Sequence, residues 1–146
     1  MKRWLETEYP EICRMAKCDK AEIHWGDEMG VRSDYQAGCS YGRVGKTPVI
    51  PATGQRFGCN MISTITNRGQ LCFKLFVQRF DSTVMLDFLR RLVRQSEQKI
   101  FLIVDGHPVH RSRAVHQWLA KHSERIRLFF LPAYSPELNQ TRITQP

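Results

Sequence analysis

From Ala21 onward, short apolar runs alternate with stretches in which apolar residues recur every three or four positions. A strand is expected from Ala21 to Trp25, ending at Gly26-Asp27-Glu28. Gly30 to Gly54 reads as a loop, because Gly42, Gly45, Pro48 and Pro51 punctuate polar sequence there. Arg56 to Thr66 and Leu71 to Gln78 read as the two strands of a hairpin. The turn between them, Asn67-Arg68-Gly69-Gln70, offers a glycine where φ becomes positive. In the second strand Cys72, Lys74, Phe76 and Gln78 share one face, and Leu71, Phe73, Leu75 and Val77 share the other.

The period then becomes helical. Met85, Leu86, Phe88, Leu89, Leu92 and Val93 form an apolar stripe, with Arg90, Arg91 and Arg94 outside it and Asp81 or Ser82 as N-cap. Lys99 leads into Ile100-Phe101-Leu102-Ile103-Val104, a continuous β-prone run suited to a strand covered on both faces. A second helix is expected from about Ser112 to His122, with Val115, Trp118 and Leu119 inward, and a last strand from Ile126 to Leu131. Before Ala21, residues Trp4, Leu5, Ile12, Met15 and Ala16 have a loose helical spacing broken by Pro10. Residues 1–20 are therefore expected to be a helical linker segment, and 21–146 one domain. The order β, loop, β, β, α, β, α, β implies an α/β fold, a mixed sheet flanked by helices. That is the order of the ribonuclease H-like fold without its final helix.

Charge adds a partner to this picture. Lys and Arg number 22 against 14 Asp and Glu, giving a net charge of +8 and a pI near 9.6. Such an excess favours a polyanion, because each neutralised phosphate releases counterions. Five cysteines at irregular spacings, with no Cys/His pair downstream of Cys13 and Cys18, argue against both a disulfide framework and a zinc knuckle. Met1-Lys2-Arg3-Trp4 runs straight into polar sequence, and no apolar run approaches the roughly 20 residues of a membrane span. A cytoplasmic, membrane-free protein with reduced thiols is expected.

Two acids stand at the ends of apolar strands: Asp27 after the first, Asp105 after the run 100–104. If those strands are neighbours, the two carboxylates converge and offer hard oxygen donors to divalent ions. A pair of such ions can activate a water or a 3′-hydroxyl and stabilise the leaving oxygen in phosphoryl transfer. Taken singly, each Asp reads more readily as a turn former or helix cap, and it is their pairing on this strand order that reverses the balance.

Three segments resemble the successive signature blocks of transposases of the IS630 family, in the IS630/Tc1-mariner group of DDE enzymes. They are IHWGDEMGVRSD from residue 23, FLIVDGHPVHRS from residue 101 and FFLPAYSPELN from residue 129, and the intervening GKTPVIPATGQRFGCNMISTITNRG is similar to the family's insert and second strand. The resemblance implies a ribonuclease H-like DDE catalytic domain that cuts and joins DNA with Mg²⁺ or Mn²⁺. It makes Asp27 and Asp105 the first two catalytic, metal-binding acids, with Glu28 and His110 as supporting residues. DNA, as transposon ends and target, is the implied partner, and Arg90, Arg91, Arg94, Arg111 and Arg113 are candidate phosphate contacts. A homodimer is left open, and the expected location is the bacterial cytoplasm, on the nucleoid when DNA-bound.

The departure comes at the end. The family's third acid falls on the third residue after the Asn of PELN, where this chain has Arg142. A guanidinium cannot ligate a metal ion. Glu137 is the nearest carboxylate, at a position that is not catalytic in the family. The expectation is therefore a DDE domain truncated at its C-terminus and inactive by itself. Two alternatives are an active nuclease with another third acid and a non-catalytic DNA-binding derivative that regulates a transposase. The tail also suits a reading-frame shift. Arg142 to Pro146 can be encoded CGA-ATT-ACT-CAA-CCA, which one nucleotide later reads Glu-Leu-Leu-Asn, with Glu in the place of Arg142.

Overall fold

The computed structural model describes residues 2–32, 44–45 and 58–133. Most of the expected loop from Gly30 to Gly54, Glu137 and Arg142 lie outside the described residues. Eight main elements follow in chain order: α1 (Tyr9–Asp19), β1 (Ala21–Arg32), β2 (Gly58–Thr66), β3 (Leu71–Phe76), α2 (Ser82–Gln95), β4 (Lys99–Val104), α3 (Arg113–Lys121) and β5 (Ile126–Phe130). The strands form one mixed sheet in the order β3-β2-β1-β4-β5. β1, β2 and β3 pair antiparallel, while β1 with β4 and β4 with β5 pair parallel.

The β4 run explains the layering. Alternation sends Ile100, Leu102 and Val104 into a core with Ile62, Val84, Phe88, Leu92 and Val115, beneath α2 and α3. Phe101 and Ile103 point the other way, into a core with Trp4, Ile12, Ala16, Ile23, Trp25 and Leu131, beneath α1. A strand buried on both faces has no polar alternation, and that is how this run reads in sequence. α2 starts where Asp81 accepts a hydrogen bond from the Val84 N–H (3.0 Å), and α3 where the Ser112 hydroxyl accepts from Val115 N–H (3.4 Å).

Three details depart from the sequence pattern. Pro10 does not break the first helical segment. It sits in the first turn of α1, preceded by a π-helical turn, Trp4–Glu8, in which the Tyr9 N–H reaches the Trp4 carbonyl. Proline is tolerated in a first turn, where its missing N–H leaves no bond unmade. β1 does not stop at Trp25; it runs on to Arg32 because β2 pairs with it continuously, from His24 opposite Thr66 to Arg32 opposite Gly58. Gly26, Asp27, Glu28 and Gly30 are weak β-formers, so the pairing overrides local propensity. The third detail is in β3, where Cys72 and Phe76 face the core and the more apolar row, Leu71, Phe73 and Leu75, is exposed.

His24, on β1, is buried on the α2 side of the sheet, and burial lowers its pKa below the ordinary 6.5, with nearby Glu22 opposing. The folded state therefore prefers the neutral imidazole. Below pH 6.5 the unfolded chain binds a proton that the folded chain takes up only at lower pH, so stability falls as pH drops from 6.5 toward the depressed value. Urea unfolding at pH 7, 6 and 5 should show this loss in the wild-type protein, and His24→Gln should flatten it. An equal slope in both proteins would place the proton uptake elsewhere.

Candidate active site

Asp27 and Asp105 are brought together by strand register. β1 and β4 are parallel neighbours, and their last matched pair is Trp25 with Ile103. Counting on two residues from that pair sets Asp27, still inside β1, level with Asp105, one residue past the end of β4. Asp27 continues the alternation of Trp25, on the α1 side of the sheet, while Asp105 stands just past the end of β4. Asp27 is thus not at a strand end, as its sequence suggested, but inside β1 at the point where β4 stops. It is buried, 5% exposed, and lies opposite Ser63 of β2. Gly26, just before it, has its Cα against β4 side chains: a Cβ there would lie 3.1 Å from Val104 Cγ1 and 3.2 Å from Leu102 Cδ1.

Asp105 is the first residue beyond β4, and the loop after it turns back to hold its carboxylate. Oδ1 accepts from the His107 N–H at 3.1 Å and from His110 Nδ1 at 3.1 Å. His110 Nδ1 also lies 3.2 Å from the Asp105 carbonyl oxygen. Since both neighbours are acceptors, Nδ1 carries the proton. His107 adopts the other arrangement: its Nδ1 accepts from the Val109 N–H at 3.1 Å and caps the 3₁₀ turn Pro108–Arg111. The His110 hydrogen bond is the main reason that the Asp105 pKa lies below its usual value; partial burial opposes it and the His107 N–H assists. Among the described residues no hydrogen bond engages Asp105 Oδ2, and the side chain is 42% exposed.

Phe80 completes the clamp. Its ring lies 5.3 Å from His107 and 5.8 Å from His110, the latter edge-on. The sequence singles out neither Phe80 nor His107. No local pattern marks either, because Phe80 meets the histidines only once β3, α2 and β4 are folded.

The remaining candidates are dispersed. Glu28 projects by alternation to the opposite face of β1 from Asp27. Arg111 and Arg113 are exposed near Asp105, and the Arg111 guanidinium lies 4.0 Å above the Phe130 ring. Arg90, Arg91 and Arg94 are exposed on α2, which covers the sheet face away from the side on which Asp27 projects. Among the described residues no group of three His, Cys, Asp or Glu is placed to hold a metal ion.

The model of the DDE superfamily endonuclease family matches residues 22–144, most of the chain and both acids. The protein belongs to the DDE endonuclease superfamily. No curated protein matches it. Among solved structures, the Mos1 strand transfer complex superimposes with a TM-score of 0.63 at 21% identity, over 97% of this chain and 44% of that one. The Mos1 mariner paired-end complex with Mn gives 0.57 at 20% identity, covering 90% and 42%. The catalytic domain of Mos1 mariner transposase gives 0.56 at 15% identity, covering 90% and 61%. The chain thus spans between 42% and 61% of the length of these three structures. At such identities the likeness is one of fold: this DDE superfamily member has the mixed five-stranded, helix-flanked sheet of ribonuclease H-like transposase catalytic domains. None of its described helices is long and apolar enough to cross a membrane.

Proposed function

We propose that this chain is the catalytic domain of an IS630-type transposase, with residues 21–146 as the domain and 1–20 leading into it. Its substrate is DNA, as transposon ends and target, in a bacterial cytoplasm. The reading is supported by the parallel pairing of β1, which carries Asp27, with β4, which ends just before Asp105, within a chain of the DDE superfamily.

Two carboxylates suit Mg²⁺ or Mn²⁺, hard ions that favour oxygen donors. Bound there, such ions would activate a water or 3′-hydroxyl and stabilise the leaving oxygen of a phosphodiester. Asp105 would bind through Oδ2, because Oδ1 is committed to the His107 N–H and His110. His110 acts as a positioning residue: it keeps Asp105 ionised and fixes its rotation. Glu28, on the other face of β1, supports the strand rather than the metal.

Arg142 at the place of the family's third acid favours a chain that binds DNA without cutting it, the role of a regulatory derivative. Two protein acids leave the remaining coordination to water, and a loosely held ion is costly in phosphoryl transfer. Purified protein with Mg²⁺ or Mn²⁺ is expected to give no strand cleavage on supercoiled DNA. Arg142→Glu is expected to gain cleavage that Asp105→Ala abolishes. Cleavage by the wild-type chain, lost in Asp105→Ala, would overturn the non-cutting reading.

DNA affinity is expected to be independent of sequence and to fall steeply with salt, since arginines contact phosphates. Arg111 and Arg113 flank the site; Arg90, Arg91 and Arg94 form a second basic surface outside α2. Removing Arg111 and Arg113 together should lower the slope of log affinity against log salt by about two. Affinity that is unchanged between low and physiological salt would refute this.

A further inference from the structure

Two neighbouring hydroxyls on β2, those of Ser63 and Thr64, are buried without a hydrogen-bond partner, each residue being only 1% exposed. Leaving a buried polar group unpaired is unfavourable, so such groups are rare in folded proteins and call for an explanation. Alternation sends the two hydroxyls to opposite faces of the sheet. Thr64 lies between Gly26 of β1 and Cys72 of β3, neither of which has a side-chain oxygen. Ser63 lies between Phe73 of β3, a hydrocarbon ring, and Asp27 of β1. Of its two cross-strand neighbours, Asp27 is the one with acceptors.

Residues directly opposite in an antiparallel pair project to the same face, with Cβ atoms about 4.5–5.5 Å apart. A serine hydroxyl and an aspartate carboxylate at that separation can reach each other. Ser63 needs only a turn about χ1, between staggered positions, to aim its hydroxyl at Asp27. The chemistry of the site gives that bond a purpose. A carboxylate that offers one oxygen to a metal ion is oriented by what holds the rest of it. Asp105 already has such a holder: Oδ1 accepts from the His107 N–H and from His110, and among the described residues no hydrogen bond engages Oδ2.

We infer that Ser63 is a positioning residue for Asp27, its hydroxyl donating to the Asp27 carboxylate when a divalent ion is bound. The bond fixes the rotation of the carboxylate, as His110 fixes that of Asp105. It also gives the buried hydroxyl the partner it lacks. This role rests on the proposed reading of Asp27 and Asp105 as metal ligands. Thr64, on the far face of the same strand, has no part in it.

Mn²⁺ is the probe, and two quantities are read on the full chain: free Mn²⁺ by electron paramagnetic resonance during titration, and the Tm in EDTA. Ser63→Ala should lower Mn²⁺ affinity by about tenfold or more, the usual loss when the group orienting a metal ligand is removed. Its Tm in EDTA should stay level or rise, because an unpaired buried hydroxyl has gone. A serine with only a structural role would give the reverse, a lower Tm and unchanged affinity. Ser63→Thr keeps the hydroxyl and should restore binding. Thr64→Val removes the other unpaired hydroxyl and should leave Mn²⁺ affinity as it is. Undiminished binding in Ser63→Ala, or an equal loss in Thr64→Val, would overturn the role of Ser63 and leave the two acids as ligands. Wild-type binding that survives both Asp27→Asn and Asp105→Asn would instead remove the metal reading, and the role of Ser63 with it.

Discussion

Phe101→Ala is expected to destabilise the protein by about 3–5 kcal/mol, enough to unfold much of it at 37 °C if its total stability lies in the usual range of about 5–15 kcal/mol. Phe101 is at the middle of β4, level with Ile23 of β1 on one side and Arg127 of β5 on the other. Its side chain is fully buried among Trp4, Ile12, Ala16, Trp25 and Leu131, with the Phe129 ring at 5.1 Å. Those neighbours come from both sides of β4 and from the helical segment above, so they cannot all close on the space left by a removed ring. The cost is then the lost transfer energy plus a cavity. Phe73→Ala removes the same atoms from β3, where the ring is 52% exposed, and should change stability by no more than about 0.5 kcal/mol. Urea unfolding followed by circular dichroism compares the two. A Phe101→Ala loss below about 1 kcal/mol would mean that α1 and the sheet do not share a packed core.

The same contrast between Phe101 and Phe73 marks how far the fold was legible in the sequence. Ile100 to Val104 could be read as a central strand because burial on both faces removes polar alternation, and Asp105-Gly106 marked its end. The hairpin was legible through Gly69, observed at φ +86°, and α2 through the Asp81 cap. In β3, alternation separated two faces without telling which turns inward. The richer apolar face is the exposed one, because Cys72 and Phe76 sit over the core beneath α2, and only tertiary packing decides that. The length of β1 was hidden for a related reason. Its second half is held by β2, a partner distant in sequence, and two glycines and two acids disguise it.

The candidate site was legible in the same uneven way. Asp27 and Asp105 could be singled out as acids following apolar runs, but their approach depended on β1 and β4 being neighbours. The His110 contact with Asp105 spans five residues, and the His107 N–H contact two, so both are products of a tight local turn. Phe80 comes from a different element, the segment joining β3 to α2, and no spacing rule links it to the histidines.

The largest functional effect is expected at the two acids. On the proposed reading Asp27 and Asp105 would each supply a carboxylate oxygen donor, and asparagine replaces it with an amide of nearly the same shape. Each substitution should therefore reduce divalent-ion affinity about tenfold or more while leaving the fold intact. His110→Ala should cost a comparable factor indirectly, since groups that orient a ligand typically contribute about 10–100-fold. Glu28→Gln, on the other face of β1, should leave binding unchanged. The decisive measurement counts free Mn²⁺ by electron paramagnetic resonance during titration of the wild-type, Asp27→Asn, Asp105→Asn and Glu28→Gln proteins. The account predicts a weak wild-type site that both aspartate variants lose and the glutamate variant keeps. Wild-type Mn²⁺ binding that persists undiminished in Asp27→Asn and Asp105→Asn would contradict it.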